Sequence, residues 1–137
     1  MSLFIINENN TYKDSLSVYD SLPDNEKILV APRGRFVDSP ALLVRISNKK
    51  GFCEIYKFNG DPSIGFITIA VSPKYRHMGI ADKLLNEAIS KAKKKGVNKL
   101  IYRVEKTNNP SKIIAVRNSF TLENQTKTQL LYVMNLK

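Results

Sequence analysis

The chain has 137 residues, 42% of them hydrophobic and 25% charged, which suffices to bury one core without disulfides or metals and predicts a single domain over residues 1–137. One cysteine, Cys53, rules out an internal disulfide. No window reaches the roughly 20 apolar residues of a membrane-spanning helix, and the apolar run Leu3–Ile6 lacks a basic flank and cleavage site, so a cytoplasmic protein without membrane attachment is expected.

The formal net charge of +10 would steer anionic ligands toward the chain. The dense lysine run between Lys91 and Lys99, however, falls at the end of a predicted helix, where cations suit the dipole and the solvated face. A nucleic-acid partner rests on charge alone, since interleaved surface aromatics and a recognition-helix pattern are both missing.

In chain order, Tyr12, Leu16, Val18, Tyr19 and Leu22 recur at helical spacing and Pro23 ends the run. From Asp24 to Ser39 the chain reads as irregular connection, with one helical turn near Glu26 and with Arg33 and Arg35 exposed. Strands follow at Ala41–Ser47 and Phe52–Phe58, separated by the turn residues Asn48-Lys49-Lys50-Gly51, and Asn59-Gly60-Asp61-Pro62 forms a second turn. Ile64–Val71 is apolar almost throughout, as a central strand covered on both faces should be. Ile80, Ala81, Leu84, Leu85, Ala88, Ile89 and Ala92 then mark one face of a long helix, which Gly96 terminates. Leu100–Val104 is another strand. Pro110 to about Asn118 is a second late helix with Asn109 as its N-cap, and Gln129–Leu136 is the last strand, after Phe120–Glu123. Strand, helix and strand from Ile64 to Val104 require a parallel pair. The fold class is therefore α/β (α+β): a single mixed, mostly antiparallel sheet with helices on both faces.

The segment Val71-Ser72-Pro73-Lys74-Tyr75-Arg76-His77-Met78-Gly79-Ile80-Ala81 joins a strand to the long helix and has the makings of an anion cradle. Gly79 and the small Ala81 allow close backbone approach, and the first N–H groups of the helix point outward with the positive end of its dipole. Arg76 and His77 stand beside them as further donors. Arg76-x-x-Gly79-x-Ala81 resembles the pyrophosphate-binding signature of the GNAT superfamily of acyl-CoA-dependent N-acetyltransferases, Arg/Gln-x-x-Gly-x-Gly/Ala. The resemblance covers roughly Ala41 to Phe120. It includes the later segment Asn108-x-x-Ser111-x-x-Ile114-Ala115-x-x-x-Ser119-Phe120, which is similar to the family's Asn-x-x-Ala-x-x-Leu-Tyr-x-x-x-Gly-Phe.

That resemblance implies acetyl-CoA as cosubstrate. The strand ending Ile69-Ala70-Val71 would splay from Leu100–Val104 and admit the pantetheine arm. Backbone groups of Ile69 and Val71 would bond its amides, and the Val71 N–H would serve as oxyanion donor. The amides of His77, Met78, Gly79, Ile80 and Ala81, with Arg76, would hold the pyrophosphate. Asn108 and Ser111 would approach from the far side, and the other reading of Asn108 is a helix cap.

The sequence departs from the family at three places. Ala115 stands where many members have the tyrosine thought to protonate the departing thiolate; Tyr102 or Tyr75 could substitute, or water could supply the proton. Ser119 replaces the usual glycine and suggests a different turn. Arg103 stands where similar protein N-terminal acetyltransferases have glutamate, which disfavours that substrate class. An alkylammonium of pKa about 10.4 is neutral in about one molecule in 10³ at pH 7, so a base is needed. Ile64–Val71 offers no carboxylate, leaving Glu54 and Glu105 as candidates.

His77 and Cys53, the only histidine and thiol, have no partner residues for a metal or nucleophile site, and Met78 reads as helix-start packing. The expected activity is transfer of an acetyl group from acetyl-CoA to a primary amine, small molecule or peptide, by direct attack in a ternary complex. The alternative is a non-catalytic CoA-binding or interaction module of the same fold. Arg33, Arg35 and Arg45 hint at an anionic group on the acceptor, and the family leaves homodimerisation through the last strands open.

Overall fold

A computed structural model describes residues 12–30 and 39–137; Arg33 and Arg35 lie outside the described residues. Helices α1 (Tyr12–Ser21) and α2 (Asp24–Lys27) precede strands β1 (Leu42–Ser47), β2 (Gly51–Phe58) and β3 (Asp61–Val71). Helix α3 (Ile80–Lys94), strand β4 (Lys99–Glu105), helix α4 (Asn109–Arg117) and strands β5 (Thr121–Gln125) and β6 (Gln129–Asn135) complete the order. One six-stranded sheet runs β1-β2-β3-β4-β6-β5. Its β3/β4 pair is parallel and its other pairs are antiparallel, which is the mixed sheet expected from the sequence.

Alternation along β2 assigns the two faces. Cys53 and Ile55 join Leu84, Leu85, Ala88, Ile89 and Ala92 of α3, together with Leu100, Tyr102, Val104 and Ala115, in the main core. Phe52 turns the other way and packs with Val18 of α1. Helix α3 forms where the apolar period predicts it, and its fully buried leucines contribute about 1.5–3 kcal/mol each. It ends at Gly96, whose φ of 84° is the left-handed conformation that glycine adopts without strain.

Several local expectations need correction. Strand β3 starts at Asp61, not Ile64, because Asn59 and Gly60, with φ of 51° and 79°, close the turn as a tight pair. Pro62 is tolerated there because the β2/β3 register shifts between Lys57 and Phe58, where no ladder donor is required. The cap of α4 is Asn108 rather than Asn109, since its Oδ1 accepts from the Ser111 N–H at 3.2 Å. Met78 does not pack under the helix start and is 67% exposed.

At the end of α4 the turn is the one a glycine would make, although a different one is expected from Ser119. Ser119 takes φ of 70°, the Phe120 N–H reaches the Ala115 carbonyl at 2.9 Å and the Ser119 N–H the Val116 carbonyl at 3.1 Å, closing the helix in the Schellman manner. A serine held at this φ carries about 1–2 kcal/mol of left-handed strain. Ser119→Gly is therefore expected to raise unfolding stability by about 1 kcal/mol in urea titration; a decrease would show that the serine side chain contributes more than its strain costs.

Candidate functional site

The cleft is built by where pairing stops. The parallel ladder joins Ile64–Phe66 to Lys99–Ile101. Beyond it, residues 67–71 of β3 and 102–105 of β4 run on without pairing to each other. Because the Ser72 N–H bonds the Lys50 carbonyl at 2.8 Å and Phe52 pairs with Ala70, strand alternation turns the peptide groups of Ala70 toward β2 and those of Ile69 and Val71 toward the opening. Of the predicted strand residues, Ile69 and Val71 therefore face the cleft through their backbone, while the backbone of Ala70 belongs to the β2 ladder.

Past Val71 the chain makes a turn of 3-10 helix at Pro73–Tyr75. His77 and Gly79, at φ 64° and 77°, then lead into α3. Gly79 is the N-cap and makes no side-chain cap bond; the first intrahelical bond is Lys83 N–H to the Gly79 carbonyl at 3.2 Å. The first-turn amides, including those of Ile80 and Ala81, have no intrahelical acceptor, and a Cβ on Gly79 would meet no atom within 4 Å. Asp82 in this turn faces α4: its carboxylate accepts from Arg117 Nη2 at 2.6 Å and Asn118 Nδ2 at 2.7 Å. Burial works against its ionisation, but these two partners prevail and hold its pKa below the usual carboxylate value.

Arg76 is placed beside the cradle but turned toward the strand and α2. Its Nε donates to the Val71 carbonyl at 3.1 Å, Nη1 donates to Glu26 Oε2 at 3.0 Å, and Nη2 bonds Glu26 Oε1. This two-pronged ion pair ties α2 to the strand-helix junction. On the far side of the cleft stand Asn108, as the α4 cap, and Ser111.

The two candidate bases are in different settings. Glu54 is fully buried on the α1 face; its Oε2 accepts from Ser15 Oγ and Arg45 Nε, both at 2.6 Å, and its Oε1 from the Tyr56 hydroxyl. Burial and then the neighbouring Glu54 carboxylate push the Tyr56 phenol up, keeping it a donor. Glu105 ends β4 and by alternation shares the α1 face with Arg103, whose guanidinium lies 5.2 Å from the Phe66 ring centroid. One Glu105 oxygen, Oε2, is buried with no hydrogen-bond partner.

Tyr102, one of the two tyrosines the sequence offers as a substitute proton source, is buried and is the first β4 residue beyond the last β3/β4 pair; its hydroxyl has no hydrogen-bond partner in good geometry. One feature escapes the sequence reading. The Ser15–Glu54–Arg45–Tyr56 cluster joins residues distant in sequence, and neither motif nor period marks it. Cys53 is buried as expected, and burial pushes its thiol up, away from nucleophilic use.

Among the described residues no helix is long and apolar enough to cross a membrane. Sequence comparison with curated proteins finds no match. Among solved structures, the chain is similar to the yncA protein of Salmonella typhimurium, solved with its cofactor acetyl-CoA, at 19% identity and TM-score 0.59 over 66% of this chain and 62% of that one. It is similar to the PaiA N-acetyltransferase of Thermoplasma acidophilum in complex with coenzyme A, at 23% identity and TM-score 0.58 over 65% and 55%. A longer match, over 91% of this chain and 87% of the other, is with the ribosomal-protein-S18-alanine N-acetyltransferase of Escherichia coli, at 15% identity and TM-score 0.67. The first two matches thus span less than two thirds of those chains, and all three show a shared fold. The family model for GNAT acetyltransferases matches residues 10–115, a range that takes in the cleft, the cradle and most of α4, and the chain belongs to that family.

Proposed function

We propose that this chain binds acetyl-CoA in the β3/β4 cleft and transfers the acetyl group to a primary amine by direct attack. The observation that carries the reading is the end of the parallel ladder at Phe66 and Ile101. There the peptide groups of Ile69 and Val71 turn into an opening that leads to the uncapped start of α3. These groups fit the cosubstrate: strand-edge amides for a pantetheine arm, and free helix-start N–H groups with the positive dipole end for phosphates.

Acetyl-CoA would supply an acetyl group already activated as a thioester. The Val71 N–H would bond the thioester oxygen as negative charge builds there. Amides from His77 to Ala81 would hold the pyrophosphate, and Asn108 and Ser111 would close the opposite wall. Glu105, with its unpartnered oxygen at the end of β4, is the base we assign to the amine proton; Glu54, whose two oxygens already accept three donors, is the weaker candidate. Arg103 over Phe66 puts a cation beside the cleft, which favours an acceptor bearing an anionic group. Arg45 is already committed to Glu54 and adds less to that preference.

The test is isothermal titration with acetyl-CoA and with CoA at two salt concentrations. Saturable one-to-one binding that persists at the higher salt is expected, because a specific site is screened less than general attraction to a +10 chain. Binding that is absent or vanishes with salt would overturn the reading in favour of a non-catalytic module.

A further inference from the structure

We propose that the Tyr102 hydroxyl is the hydrogen-bond donor to the sulfur of the cosubstrate, holding the charge that develops there as the acyl–sulfur bond breaks. The inference rests on acetyl-CoA binding in the β3/β4 cleft and names a residue that the family pattern does not mark.

Position is the first argument. Tyr102 directly follows Ile101, the last β4 residue paired with β3, so it stands at the inner end of the opening. Its side chain lies on the face covered by α3 and α4, with the ring edge-on to Phe120 at 5.9 Å between centroids and only 4% of the residue exposed. The Cys53 thiol and Ser111 of α4 lie near the hydroxyl, and Ser111 approaches closely enough to lower its pKa against the rise from burial, yet no contact of Tyr102 Oη meets hydrogen-bond geometry. A buried hydroxyl without a partner is unfavourable, and phenylalanine would fill the same slot against Phe120 without it. A ligand acceptor at the inner end of the cleft accounts for the tyrosine.

Chemistry supplies the second argument. In acyl transfer the new N–C bond forms, the C–S bond breaks, and its electron pair stays on sulfur. The amine proton passes to Glu105 and on to water, and the coenzyme leaves as a thiolate. A thiol of ordinary pKa about 8.5 needs little acid assistance to leave, but in a desolvated cleft its anion needs a donor. Burial pushes the Tyr102 phenol up to about 12, so it keeps its proton while it bonds the anion. Tyr102 therefore acts by hydrogen bonding, without releasing its proton.

The experiment follows the thiol of bound CoA by the ultraviolet absorbance of its thiolate as pH is raised, in the parent and in Tyr102→Phe, with the ligand-free proteins subtracted. Cys53, the other titratable group near this hydroxyl, is itself pushed up by burial and stays silent in the window used. The bound thiol is expected to titrate at a pH higher by about one unit, ten-fold in proton affinity, in Tyr102→Phe than in the parent. CoA affinity for the protonated thiol should be retained, as should the denaturation midpoint, since only an unpartnered hydroxyl is removed. Identical titrations would overturn the assignment of Tyr102 alone. If the parent fails to bind CoA, acetyl-CoA binding falls, and the inference falls with it.

Discussion

Gly79→Glu is expected to weaken acetyl-CoA binding by about 100-fold or more, read by isothermal titration, while Gly79→Asn stays within about ten-fold of the parent. The contrast follows from what Gly79 does. At φ of 77° it starts α3 in the left-handed region, and a Cβ there would meet no neighbouring atom within 4 Å. Either substitution therefore costs the fold only the left-handed strain, about 1–2 kcal/mol and less for asparagine, which visits this region readily. What differs is charge. Glutamate sets a carboxylate among the uncapped amides of the first turn, where it satisfies those donors itself and repels a pyrophosphate; a like-charge contact of this kind costs several kcal/mol. Asparagine leaves the field of the helix start intact. If the glutamate variant binds acetyl-CoA as the parent does, the phosphates do not sit at this helix start.

The elements with a clean period could be read from sequence with little error. The apolar stripe of α3 buries Leu84, Leu85, Ala88, Ile89 and Ala92 as its pattern says, and Gly96 stops the helix in the conformation expected of it. Strand β3 is central in the sheet, but of the apolar side chains in Ile64–Val71 only Ile67 is fully buried, so the run marks a central strand without full cover on both faces. The backbone of the strand-helix junction, with Gly79 starting α3, was equally legible, because its ingredients, a glycine at a helix start after an apolar strand, are contiguous. Local chemistry of this kind depends on neighbours in the chain.

What sequence could not supply was side-chain partnership across the fold. Arg76 reads as a phosphate donor from its place in the motif, yet its guanidinium is held by Glu26 and by the Val71 carbonyl, 50 residues away in the first case. Glu54 reads as a free strand carboxylate until α1 brings Ser15 against it across 39 residues. Two adjacent asparagines before Pro110 look equivalent as caps, and only the distance from Asn108 Oδ1 to the Ser111 N–H chooses between them. Ser119 misleads in the opposite direction, since the turn is imposed by the packing of Phe120 into the core and tolerates a residue that dislikes it.

Glu54 and Glu105 should separate sharply when each is changed. Glu54→Ala is expected to lower unfolding stability by about 3–5 kcal/mol, because it removes the buried carboxylate that balances the Arg45 guanidinium and accepts from Ser15 and Tyr56. That is a large share of the 5–15 kcal/mol typical of a domain, and it would appear as a strong drop in the urea midpoint with an unchanged slope. Glu54→Gln keeps the shape and one acceptor oxygen but loses the charge that balances Arg45, so it should fall between Ala and the parent. Glu105→Gln, by contrast, changes a carboxylate with an unmet oxygen at a strand end and should leave stability within about 0.5 kcal/mol. Turnover should divide the other way. Once an acceptor amine is found, the rate of the parent should fall toward low pH as the base is protonated; Glu105→Gln should lower the rate and flatten that acid limb. Glu54→Gln, assayed where it is folded, should keep the limb. Should the acid limb survive in Glu105→Gln and disappear in Glu54→Gln, the base is the buried carboxylate; if it survives in both, a water chain removes the proton.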